Sequence, residues 1–177
     1  MIEIFLRSFL LFFFVVGAIS CQSKQQDSLE NTYLRFVGDI QGDSDLDKPE
    51  FNTCNGDERV FQYFNTGEGF RYKGEKTTLV SKIQKLYKPL QNIPNQSGYI
   101  RIRFIVNCKG EAGRFRVLAS DFNYQEKEFD KAIIDQLLSI IERLDGWEIM
   151  TKSDKTLDYY LYLIFKIDNG HIIEILP

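Results

Sequence analysis

The residues able to do chemistry in this chain are few: one His, three Cys, 22 Lys or Arg and 25 Asp or Glu in 177 positions. His171 has no Cys or second His beside it, so the usual cluster of nitrogen and sulfur zinc ligands is not expected. Ser, His and Asp are all available for a triad, yet no Gly-x-Ser-x-Gly elbow exists to present the serine. Cys108 acting with His171 would need a free thiol. Asp43, Asp45 and Asp47 imitate the opening of a calcium loop, but Lys48 stands where Gly is required and Cys54 where Glu is required. Gly69 to Thr77 imitates a phosphate loop with one residue too many between Gly74 and Lys76, and Gly67 and Gly69 lack the third Gly of a dinucleotide fingerprint. No metal and no cofactor is expected. A formal net charge of −3 gives no electrostatic pull toward nucleic acid.

The three cysteines are the more informative set. Arg7 precedes the apolar run Phe9 to Val16, small residues follow, and Cys21 comes next, the order of a secretory signal. A helix over residues 9–19 would reach roughly 16 Å, about half of a bilayer's hydrocarbon core, so residues 1–20 read as a cleaved signal peptide. Ala18-Ile19-Ser20-Cys21 resembles a bacterial lipobox, which implies lipid on Cys21 and a polar tether over residues 21–33. An ordinary signal-peptidase site and an uncleaved anchor are the alternatives. Lipidation of Cys21 leaves Cys54 and Cys108, which an oxidising compartment is expected to pair; two separate buried thiols are the other arrangement.

The elements that must position these residues follow from periodicity. Residues 34–78 read as an N-terminal extension in which 39–50 form an acidic, solvated loop, 60–64 a short strand and 67–78 a turn into a helix. Leu79, Ile83, Leu86 and Tyr87 make a helical stripe that Pro89 ends. Tyr99 to Cys108 alternates with Ile100, Ile102, Phe104 and Val106 on one face, and Arg114 to Ala119 alternates after the Lys109-Gly110 turn, predicting a hairpin. Its other face carries arginines 101, 103, 114 and 116 and reads as an ordinary wet sheet face, an anion-binding surface being the alternative. A second helix is predicted over Glu126 to Asp145, with Gly146 as its stop and Glu126 and Glu128 favouring its dipole. Leu157 to Ile167 is a second long strand, and Asp168-Asn169-Gly170 turns the chain back as Ile172 to Leu176. The fold class is therefore α+β: an antiparallel sheet with two packed helices, in the order helix-strand-strand-helix-strand-strand over residues 79–177.

That order, with Tyr87-Lys88-Pro89, Gly98 to Asn107, Trp147 and Leu163 to Gly170, resembles the TonB C-terminal domain over roughly residues 79–176. Members of that family capture a receptor peptide by strand addition, main-chain hydrogen bonds supplying much of the grip. The resemblance implies a partner-binding strand over Asp158, Tyr159, Tyr160, Leu161, Tyr162 and Leu163. If Ile172 to Leu176 covers that strand, the free edge passes to the last strand itself. The short signal and only 4 Pro do not provide the family's membrane helix and Pro-rich spacer. The expected function is thus a non-enzymatic, lipid-anchored envelope protein, facing the periplasm or the surface of a Gram-negative cell, that binds a protein or peptide partner, with an outer-membrane transporter one such partner. The alternative is a periplasmic hydrolase or small-ligand binder using the GEGFRYKGEK loop, His171 and Arg103.

Overall fold

A computed structural model describes residues 39–66, 70–90 and 93–176. The signal peptide, Cys21 and the tether expected from the sequence lie outside these residues. Among the described residues no helix is long and apolar enough to cross a membrane.

Six strands, β1 (Val60–Gln62), β2 (Gly98–Val106), β3 (Ala112–Ser120), β4 (Met150–Lys152), β5 (Lys155–Asp168) and β6 (His171–Leu176), form the sheet, with helices α1 (Glu75–Leu86) and α2 (Lys131–Glu142). The path is β1-β5-β2-β3, with β4 and β6 also pairing β5. The fold is α+β as expected, but the sheet is mixed. β1 runs parallel to β5, placing Val60 opposite Asp158 and Gln62 opposite Tyr160, whereas the other pairings are antiparallel. The reason is topological, since a strand joined to β5 only through the rest of the domain is free to enter in either direction.

Alternation builds the core. Ile100, Ile102, Phe104 and Val106 on β2 and Leu161, Leu163, Phe165 and Ile167 on β5 share one buried face with Leu79 and Ile83 of α1 and Ile133, Leu137, Ile140 and Ile141 of α2. Each such side chain contributes about 1.5–3 kcal/mol on leaving water. The opposite face holds a smaller cluster in which Ile105 and Tyr160 meet Ile40, Phe51 and Val60. The solvated face expected of the hairpin is therefore covered at one end, and the segment before β1 supplies the cover.

Three boundaries differ from the sequence reading. α2 begins at Lys131 because Asp130 caps it, its carboxylate accepting the Ala132 N–H at 2.9 Å. Residues 125–127 instead lie along β3, where the Ala119 carbonyl accepts the Lys127 N–H at 3.2 Å. Gly146 is not the helix stop. A Cβ there would sit 2.5 Å from the Tyr72 ring, so its smallness serves the packing of Tyr72 on Trp147. β5 starts earlier than the periodicity suggests, because Ser153 and Asp154, at φ 51° and 63°, make a left-handed turn back from β4 without the Asn-Gly signal. The β5–β6 hairpin does carry that signal, with Asn169 and Gly170 at φ 47° and 78°.

Candidate functional site

The strand singled out by the resemblance lies in the interior of the sheet. β2 pairs β5 from Tyr159 to Ile167, β1 covers the other side of Asp158–Tyr160, and β6 covers that side of Ile164–Asp168. Among the described residues of β5 from Asp158 to Asp168, only Leu161, Tyr162 and Leu163 have no strand paired on that side. Asp158, Tyr159, Leu161 and Leu163 are wholly buried, Tyr160 nearly so, and Tyr162 half-buried. An incoming strand therefore meets an occupied edge at the first half of the expected site. The cause is the turn at Asn169-Gly170, which folds β6 onto β5, together with the arrival of β1.

Asp158 itself has a different role from the one its place in the strand suggests. Its Oδ1 accepts the N–H of Cys108 at 2.9 Å, and its Oδ2 accepts the N–H of Asn55 at 2.8 Å and the Asn55 side-chain amide at 3.0 Å. The Cys54 N–H is shared between both oxygens, at 3.1 and 3.0 Å. A buried carboxylate is tolerable only when its lone pairs are taken, and here backbone and amide donors take them. Beside it Cys54 and Cys108 form a disulfide, S–S 2.11 Å, that joins the segment before β1 to the β2–β3 turn. The two sulfurs and the carboxylate lie within 4.8 Å of one another. They do not make a metal centre, because the sulfurs are bonded to each other and the carboxylate is committed to N–H donors.

The arm of residues 39–62 is held by charge as well. Asp47 forks onto Arg116 at 2.6 and 2.9 Å, Asp57 pairs with Arg114 at 2.8 Å, and Lys48 reaches Glu142 at 2.6 Å. The acidic loop is thus not simply solvated: Asp43 and Asp47 fold it into a turn, and the Asp47 side chain is 11% exposed. The hydrogen bond from Arg116 holds the Asp47 carboxyl below the usual range, and that from Arg114 does the same for Asp57. Nor are the arginines a wet row. Arg103 is 7% exposed, with its guanidinium 5.5 Å from the Tyr160 ring, and Arg101 lies 4.4 Å from the Tyr162 ring. Tyr63 packs edge-on against Tyr162, and burial with their hydrogen bond pushes its hydroxyl up to about 12.

β1 and β4 are three-residue strands paired only with β5, and the longer edges are β3 and β6. The β3 edge is blunted: its register with β2 shifts next to Arg114, which is left-handed at φ 54°, Lys127 caps Ala119, and Phe51 lies over Gly113. Among the described residues nothing pairs with the outer side of β6. There Ile175 anchors the strand in the core, while Ile173, where the register with β5 shifts, is 56% exposed. His171 opens this strand opposite Asp168, exposed at the turn. Within the GEGFRYKGEK stretch, Tyr72 is a core residue bridged to Trp147 and Gly74 precedes α1, so its described part serves packing.

Charge pairing across the arm was missed in sequence, although an Asp inside the apolar run Leu157 to Ile167 was a signal that something polar must meet it. Compared with known proteins, the chain matches no family model, no curated protein and no solved structure.

Proposed function

We propose that this chain is a lipid-anchored cell-envelope protein with a TonB C-terminal-like domain, and that it captures an extended segment of a protein partner by strand addition at the outer edge of β6. The observation that carries the reading is an open edge strand, His171–Leu176, containing neither Lys nor Pro and presenting Ile173 to solvent. Edge strands are ordinarily guarded by such residues or covered, as β3 is. Four or five new main-chain hydrogen bonds at about 0.5–1.5 kcal/mol each give a reversible contact, with Ile173 adding apolar burial. The family resemblance supports the same reading through its order of elements, and a lipid on Cys21 would keep the domain at a membrane that no described helix crosses.

A photo-crosslinking residue at position 173, in cells of the native host, tests it. A discrete protein adduct is expected that is absent when the same residue replaces Leu46 on the arm, and Glu174→Pro should abolish it. No adduct at 173, or equal adducts at both positions, would reject the reading. Cys21→Ser should move the protein from the membrane to the soluble fraction.

A further inference from the structure

Cys54 is an exposed residue and Cys108 a half-buried one, so the disulfide lies at the protein surface on the Cys54 side. It ties down the arm whose last residues, Val60–Gln62, occupy the outer side of Asp158–Tyr160. The arm's other holds are hydrogen bonds to the buried Asp158, ion pairs with Arg114 and Arg116, and one small apolar cluster. A three-residue strand on an arm held mostly by polar contacts opens locally more readily than the longer strands packed on the main core. The cross-link to the β2–β3 turn restricts the excursions of that arm, and removing it lifts the restriction.

We propose that the Cys54–Cys108 disulfide is a reducible strap, opened by a protein dithiol attacking Cys54, and that opening it uncovers the outer edge of β5 as a second docking site for an extended backbone. The proposal rests on the strand-addition reading and adds a concealed edge to the open one. The dithiol's thiolate attacks the Cys54 sulfur, the S–S bond breaks, and Cys108 leaves as a thiolate that takes up a proton. The dithiol's second thiol then displaces Cys54 and leaves as a disulfide, so two electrons pass to the protein and two thiols result. Asp158 keeps its place in β5, but the N–H groups of Cys54 and Asn55 are now tethered to it by hydrogen bonds alone. With β1 lifted, Asp158–Tyr160 join Leu161–Leu163 in a continuous unpaired stretch reaching to β6.

Hydrogen exchange on the full chain, oxidised and then reduced with dithiothreitol, tests the strap without any partner. Exchange over residues 54–62 and 158–160 is expected to quicken by at least about tenfold, while β2 and β3 and the fluorescence of the buried Trp147 stay unchanged. Unaltered exchange, or acceleration throughout the sheet, would overturn the proposal by showing a tie with no local effect or a plain staple of the whole fold. A synthetic peptide copying residues 58–64 serves as the extended probe. It should bind the Cys54→Ser/Cys108→Ser variant and not the oxidised protein, and equal binding to both, or to neither, would likewise overturn the second site. Since neither measurement touches β6, loss of the Ile173 adduct alone would reject the open edge and leave the strap standing.

Discussion

The Asp158 carboxylate and the Cys108 N–H, 50 positions apart in sequence, are joined at 2.9 Å, and this bond is the meeting point of three chain segments. The same carboxylate holds Cys54 and Asn55, so the arm, the β2–β3 turn and the central strand converge on one buried charge. The disulfide covers the same junction covalently. Closure of the arm is thereby secured twice, once by a disulfide and once by a buried carboxylate.

Asp158 should therefore be among the costliest polar positions to change. Asp158→Ala leaves several N–H donors without their acceptor and is expected to destabilise the oxidised protein by about 3 kcal/mol, with Asp158→Asn losing about half as much because one acceptor oxygen survives. Urea unfolding measures both. A loss below about 0.5 kcal/mol in the Ala variant would mean that water replaces the carboxylate without penalty.

Acid should loosen the arm. The carboxyls of Asp47 and Asp57 are held below their ordinary 3.8 by hydrogen bonds from Arg116 and Arg114. A depressed folded-state pKa contributes stability that is complete above the unfolded value and is lost as pH falls through the folded one. Thermal midpoints should accordingly fall below about pH 4. Asp47→Asn should lower the midpoint near neutrality and have little effect in strong acid, so that the two curves converge. Asp57 is half exposed and should matter less. Parallel curves for wild type and Asp47→Asn would show that the Asp47–Arg116 pair does not contribute.

What could be read from the sequence divides along a physical line. The β2–β3 hairpin, the apolar stripe of α2 and the Asn169-Gly170 turn follow from local periodicity and turn chemistry, and they appear where expected. The parallel pairing of β1, the burial of Arg103 and the Asp47–Arg116 fork depend on where a distant segment comes to rest. No residue spacing encodes that. Cys54 and Cys108 were the exception, because a count of thiols can suggest a long-range contact even when periodicity cannot. For the candidate site the same division explains the outcome: Leu157 to Ile167 forms a strand as expected, but its interior position was set by β1 and by the returning β6.

The late start of α2 gives a second stability prediction. Asp130 accepts the Ala132 N–H and is the cap that fixes the helix boundary. Asp130→Ala should cost about 1 kcal/mol, and Asp130→Ser should restore most of it. Circular dichroism melts of the three proteins decide it, and equal midpoints for all three would place the start of the helix under tertiary control instead.

Two glycines meet their neighbours equally closely but should respond differently. A Cβ at Gly98 would lie 2.2 Å from the Ser120 carbonyl oxygen, and one at Gly113 would lie 2.2 Å from the Phe51 ring. Gly98 also sits at φ 146°, a backbone conformation that side chains disfavour. The Ser120 carbonyl belongs to a β3 held in register against β2, so Gly98→Ala must pry the hairpin apart and is expected to cost about 3 kcal/mol or more. Phe51 belongs to the arm and can swing outward. Gly113→Ala should therefore cost only about 1–2 kcal/mol, and its loss should be felt locally as faster hydrogen exchange over residues 51–62 with β2 and β5 otherwise protected. If Gly113→Ala instead weakens the whole sheet as much as Gly98→Ala does, the arm is an integral layer of the fold, and closing and opening it are not separable from folding.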